Sequence, residues 1–207
     1  MNYEEYNSQY KGRIEVIGGM LYDTAVFTGA VTLNIPFFTI LRNNLALSNM
    51  ELAGTLPSPK GFLIRAVRVV IQQRPLSTAT GASGSVQPGA FDNVCQLLNT
   101  GVATLTIGAK QYCQFPLFML PAGDGLDGAL ATDGDAAATG QSVSWAGNGV
   151  PDIRNVRTLS KPVFIGPQIN FNVLLTWPVA IVIAGPAGDL TVPIQVILDG
   201  DLLRPVQ

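Results

Sequence analysis

Four aspartates, Asp124, Asp127, Asp133 and Asp135, fall within a stretch of small residues, DGLDGALATDGDAAATG. Carboxylate oxygens at such short spacing are the hard ligands that hold calcium. The stretch lacks the ligand positions and the terminal bidentate Glu of an EF-hand loop, and Asp followed by Gly is chiefly turn chemistry. It is therefore read as a solvated, turn-forming loop, and no metal site is assigned. Histidine is absent from the chain. That removes the usual general base, the Ser-His and Cys-His nucleophile pairs and the commonest zinc ligand. Carboxylate pairs could still act as acid and base, but the acids cluster among small residues and not on apolar strands that would tune them. No catalytic residue and no cofactor-binding residue is assigned, and no enzyme is expected.

Weaker signals point the same way. Gly81, Gly84 and Gly89 lack the Lys-Ser/Thr ending and the following periodic helix of a phosphate-binding loop. Arg65 and Arg68 could meet phosphate, but residues three apart on a regular strand face opposite ways, so at least one is expected to be structural. Trp145, Trp177 and the tyrosines could form a sugar platform, although large aromatics in sandwiches more often fill cores or subunit contacts. Cys95 and Cys113 could pair, but isolated cysteines more often serve as small buried hydrophobes.

Composition bounds what positions these residues. The 207 residues suit one all-β domain. Charged residues make up 13% and hydrophobic ones 47%, and mean hydropathy is positive, so much of the surface is expected to be covered by partners. A net charge of −2 with scattered lysines offers no field to hold a polyanion, and direct nucleic-acid binding is not expected. Residues 1–10 carry Glu4, Glu5 and three tyrosines where an export signal would need a basic start and an apolar core. The longest apolar stretch, 173–184, is broken by Thr176, Trp177 and Pro178. It is too short to cross roughly 30 Å of hydrocarbon as a helix, so the chain is not expected to span a membrane.

Period two dominates. Strands are expected at 25–35, 61–74, 102–107, 169–177, 180–184 and 191–198, with Phe62, Ile64, Phe171, Val173, Ile194 and Val196 in cores or interfaces. Helical signals are few: 36–52, where Leu45, Met50 and Leu52 could share a face, and a short turn capped by Asp92 and running to Leu98. The 22 glycines and 14 prolines fall mainly between apolar runs, which matches an antiparallel β-sandwich or barrel. Residues 77–90 and 121–149 read as long surface loops, the places where contacts with partners are expected. The division that follows is an N-terminal arm, 1–20, and a single β-sandwich domain, 21–207. Residues 1–10 of the arm would drape over a neighbour, reaching at most about 35 Å.

The order of four segments is informative: GFLIRAVRVVIQQRP, then LLNTGVATLTIGAKQYCQFPLFMLPAG, then VRTLSKPVFIGPQINFNVLLTWP, and last VPIQVILDGDLLRPVQ. Over residues 60 to 207 this pattern resembles the jelly-roll capsid proteins of tailless icosahedral phages and related viruses. The resemblance implies a single viral jelly roll with long loops, in which a strand enters from the KPVFIGP turn and LDGDLLRPVQ ends the last strand. It implies a structural protein of the virion that self-assembles with copies of itself, and with other virion proteins, into a shell. The chain lacks the basic N-terminal arm by which many small capsid proteins hold genomes, which fits a shell around a membrane or an inner layer. The alternative is a carbohydrate- or receptor-binding β-sandwich module, and the third reading is a hydrolase using carboxylates alone.

Overall fold

A computed structural model of the chain describes residues 2–11, 13–28, 32–71, 90–120, 127–132, 142–147, 156–181 and 191–206. Its strands are β1 (Ile14–Thr28), β2 (Thr32–Phe37), β3 (Gly61–Ile71), β4 (Val102–Ile107), β5 (Lys110–Pro116), β6 (Asp127–Thr132), β7 (Ser142–Gly147), β8 (Thr158–Ile165), β9 (Phe171–Ile181) and β10 (Thr191–Pro205). Two α-helices, α1 (Tyr3–Gln9) and α2 (Ala90–Thr100), and a 3-10 helix at Leu117–Met119 complete the described elements.

The strands form two four-stranded sheets, ordered β1-β10-β3-β8 and β2-β9-β4-β5, and a separate β6-β7 hairpin. Pairing is antiparallel throughout, and it nests: β1 with β10, β2 with β9, β3 with β8, β4 with β5. The chain thus runs out along four strands and returns along four, turning between β4 and β5, with β6-β7 inserted between β5 and β8. Side chains of both sheets meet in one apolar core, among them Ile64, Val69, Val196 and Leu198 from the first sheet and Leu105, Phe171, Val173 and Leu175 from the second. This is the antiparallel sandwich expected from period two. Phe62, Ile64, Phe171, Val173, Ile194 and Val196 are all buried.

Alternation explains most of the strands. From Phe171 to Trp177 buried and half-buried residues alternate without a break, as they do along β4. Sequence reading ended that strand at Trp177 and began another at Ala180, yet β9 runs unbroken across Pro178 from Phe171 to Ile181. A proline is tolerated there because β4 pairs no further than Thr176, so the ring meets no ladder on that side. Residues 182–184 and 72–74 of the expected strands lie outside the described residues, as does nearly all of the 77–90 loop. The 25–35 run is divided between β1 and β2, and β1 starts eleven residues earlier than expected, at Ile14. The KPVFI residues expected to form a turn are the second half of β8. Pro162 is accommodated because β8 is an edge strand whose register slips between Val163 and Thr158.

Three other expectations are corrected. First, 36–52 is not helical. Its polar side chains bond locally, Asn44 Oδ1 accepting from Ala46 N and Ser48 Oγ from Met50 N, and so offer the backbone an alternative to a helix. Leu45 stands exposed while Met50 is buried. Second, α2 begins at Ala90, so Asp92 lies in its first turn and is not its cap. The last turn docks through Trp177, whose indole Nε1 donates to Leu97 O at 3.0 Å and so occupies a carbonyl near the helix end. Third, the segment expected as an arm, 1–20, is not without regular structure: it carries α1 and the first half of β1. A capping box between Asn2 and Glu5 starts α1, and Tyr6 is fully buried. The Tyr6 ring packs 5.4 Å from Phe164, and its hydroxyl donates to Pro59 O at 2.6 Å. Of the three tyrosines of that segment, Tyr6 is spent on its own subunit, while Tyr3 remains exposed.

Candidate interaction surfaces

The outer face of the first sheet is organised by one bulge. In the β10-β3 register Asp199 faces Ala66 and Gly200 faces Ile64, which leaves Arg65 extra. An extra residue shifts the pleat by one, so the buried set changes phase from Phe62 and Ile64 to Val67, Val69 and Ile71. The same shift brings Arg65 and Arg68 to one face, against the expectation of opposite faces. Arg68 reaches Asp199 through two bonds, of 2.5 and 2.7 Å, and Arg65 Nε donates to Asp201 at 2.6 Å. On the flank Arg204 pairs with Glu15 at 2.6 Å. The strand arginines are engaged with carboxylates of this chain, and that fixes their role here as cross-strand ties between β3 and β10.

The β1 edge carries a different surface. The loop 38–60 returns alongside it and is held by a buried carboxylate: Asp23 accepts from Phe38 N at 2.7 Å and from Arg42 Nε at 2.8 Å. Phe38 is thereby fixed at φ 67, a left-handed conformation that is costly for an aromatic residue. Asn49 then stands in for a neighbouring strand, accepting from Tyr22 N at 2.9 Å and donating to Met20 O at 2.8 Å, so the open edge is partly closed. What this arrangement leaves outward is apolar. Val16, Met20 and Val26 of β1 and Ile40, Leu41, Leu45, Leu47 and Leu52 of the loop are eight of the thirteen exposed large hydrophobics among the described residues. Leu45 is 78% exposed and Met20 48%. The two share a depression with Ile197, and the Tyr22 hydroxyl ties the loop down by donating to Leu45 O. A concentration of this kind marks an interaction surface.

A third surface lies where the two sheets part at β5 and β8, both of them outermost strands. The slipped register of β8 opens a cleft of about 820 Å³ there. Cys113, Phe115, Leu159 and Val163 form its floor against the core. Arg157, Lys161, Tyr3 and Tyr112 stand on its rim, and no Asp or Glu is among its described lining residues. Lys110 adds a further cation, 5.2 Å from the centre of the Tyr112 ring.

Asp127 opens β6, while Asp124, Asp133 and Asp135 lie outside the described residues. Among the described residues no three His, Cys, Asp or Glu side chains gather. Residues 121–149, read as a loop, contain the β6-β7 hairpin, in which Trp145 is paired with Ala129. Trp177 is 1% exposed and belongs to the core, so it offers no sugar platform. Cys95 and Cys113 are not joined in a disulfide, and burial pushes the Cys113 thiol up. Among the described residues no helix is long and apolar enough to cross a membrane. Sequence reasoning missed the β5-β8 cleft, because its walls come from β5 and from β8, far apart in the chain, and only the sandwich brings them together. No protein-family model matches the chain, and no curated protein matches it.

Proposed function

We propose that this chain is the structural subunit of a viral shell, a single jelly roll that assembles with copies of itself in the virion. The observation that carries the reading is the strand order. With the β6-β7 hairpin set aside, the eight remaining strands among the described residues pair first with eighth, second with seventh, third with sixth and fourth with fifth. They lie in sheets ordered 1-8-3-6 and 2-7-4-5. This nested order supports the reading as a jelly roll, a fold used by viral capsid proteins and also by lectins and cupins. The apolar β1 edge favours the first of these uses, since a lone lectin or enzyme has no need to leave Leu45, Met20 and Ile40 in water. Its partners are copies of the same chain and other virion proteins, and the pairing of Arg65 and Arg68 with aspartates supports a reading without direct genome contact at that face.

The test is to place charge on the apolar edge. Met20→Asp with Leu45→Asp should leave the thermal midpoint nearly unchanged, because both side chains are exposed, and should reduce assembly by sedimentation velocity at least tenfold. Assembly equal to wild type would remove the β1 edge from the account.

A further inference from the structure

The β5-β8 cleft is basic in a protein that is acidic overall. Arg42, Lys60, Arg65, Arg68 and Arg204 are each paired with a carboxylate. Arg157 and Lys161, by contrast, stand exposed on the cleft rim and enter no ion pair among the described residues. Two exposed cations above an apolar floor, flanked by two phenols, suit a segment whose sequence carries carboxylates with small side chains between them. The chain contains such a segment. Residues 124–135 carry four aspartates, with only Gly, Ala, Leu and Thr among them, and no Lys or Arg occurs from 111 to 153. In its own subunit the β6-β7 hairpin of that region runs beside α2.

Resting on the shell reading, we infer that the cleft between β5 and β8 receives the acidic segment 124–135 of a second copy of the chain. Arg157 and Lys161 meet the aspartates, Tyr3 and Tyr112 supply hydroxyl donors at the rim, and Cys113, Phe115, Leu159 and Val163 take the small apolar residues between. The contact is head-to-tail, cleft of one copy to segment of the next, and a contact of that kind propagates into rings or shells. Being electrostatic and exposed, it weakens with salt, as the Debye length falls from about 10 Å at 0.1 M to about 3 Å at 1 M.

The experiment exchanges the charges. One variant carries Arg157→Glu and Lys161→Glu; the other carries Lys in place of Asp124, Asp127, Asp133 and Asp135. Arg157 and Lys161 are exposed, the four aspartates stand among small residues in the sequence, and the melting temperature of each variant checks that it folds. Should the quadruple variant fail to fold, the four Asp→Asn substitutions replace it, paired with Arg157→Gln and Lys161→Gln. Each reversed variant alone should associate about tenfold more weakly than wild type by sedimentation, and a one-to-one mixture of the two should regain association. Regain on mixing is the result a contact within one subunit cannot give. Variants that associate as wild type does, or a mixture that stays dissociated, overturn the inference and leave the shell reading standing. So does disruption by the cleft variant alone, which would assign the cleft to another anionic partner. Wild-type protein that never associates overturns both.

Discussion

Gly200 shows how tightly single positions are constrained. A Cβ built there would lie 2.0 Å from the carbonyl oxygen of Leu63, a backbone atom that cannot step aside, because Gly200 faces Ile64 across the bulge. Gly18, on β1, meets nothing within 4 Å. Gly200→Ala should therefore cost about 3 kcal/mol, a drop in the melting temperature of roughly 6–12 °C, whereas Gly18→Ala should stay within about 1 kcal/mol of wild type. Equal melting temperatures for the two would contradict the close approach. Tyr6 gives a second test. Burial, reinforced by the neighbouring Tyr10, pushes its phenol up to about 12 from an ordinary value of 10. The neutral phenol is the form the fold accepts, so its contribution is intact below pH 10. It is lost as pH rises from about 10 to about 12, where the unfolded chain has released the proton and the folded one retains it. Ultraviolet titration should show one tyrosine ionising near pH 12; ionisation of every tyrosine near 10 would contradict it. The sequence shows Tyr6 only as one of three tyrosines near the start, since its partners Phe164 and Pro59 are distant. The same holds for Arg65 and Arg68, whose common face depends on a bulge specified by pairing with β10.

Among the elements, the loop 38–60 departs furthest from its sequence reading. Leu45, Met50 and Leu52 have a spacing that a helix could use, but Asn44 and Ser48 bond their own backbone and Asn49 bonds β1. What holds the element is Asp23, fully buried and accepting from Phe38 N and Arg42. Asp23→Ala leaves a buried N–H and an arginine without their acceptor, so a loss of about 3 kcal/mol is expected in denaturant unfolding. Asp23→Asn retains one acceptor and should lose less. If Ala and Asn behave alike, the carboxylate is not what fixes the loop. Strands β4 and β9 lie at the other extreme: their alternation is written locally, and β4 matches its expected bounds of 102–107. Elements whose faces are set by local period are legible in sequence, whereas those set by a distant partner, such as α1 on Phe164, are not.

For the whole molecule, the sandwich follows from period two and from turn residues between apolar runs, and the buried positions of Phe62, Phe171 and Val196 agree with it. The strand order is invisible at that level, because β1 and β10 are joined only by a register running from Ile14 against Pro205 to Thr28 against Thr191. The interaction surfaces were legible only as a tendency, a hydrophobic share of 47% against 13% charged, which the fold concentrates on the β1 edge and loop 38–60. An isolated domain with such a surface is prone to associate, and a subunit needs it. The most direct measurement is the native mass of the purified full-length chain over a concentration series, with negative-stain images of the same samples. The account predicts discrete multiples of the subunit that build toward rings or closed particles as concentration rises. A persistent monomer at high concentration would contradict it.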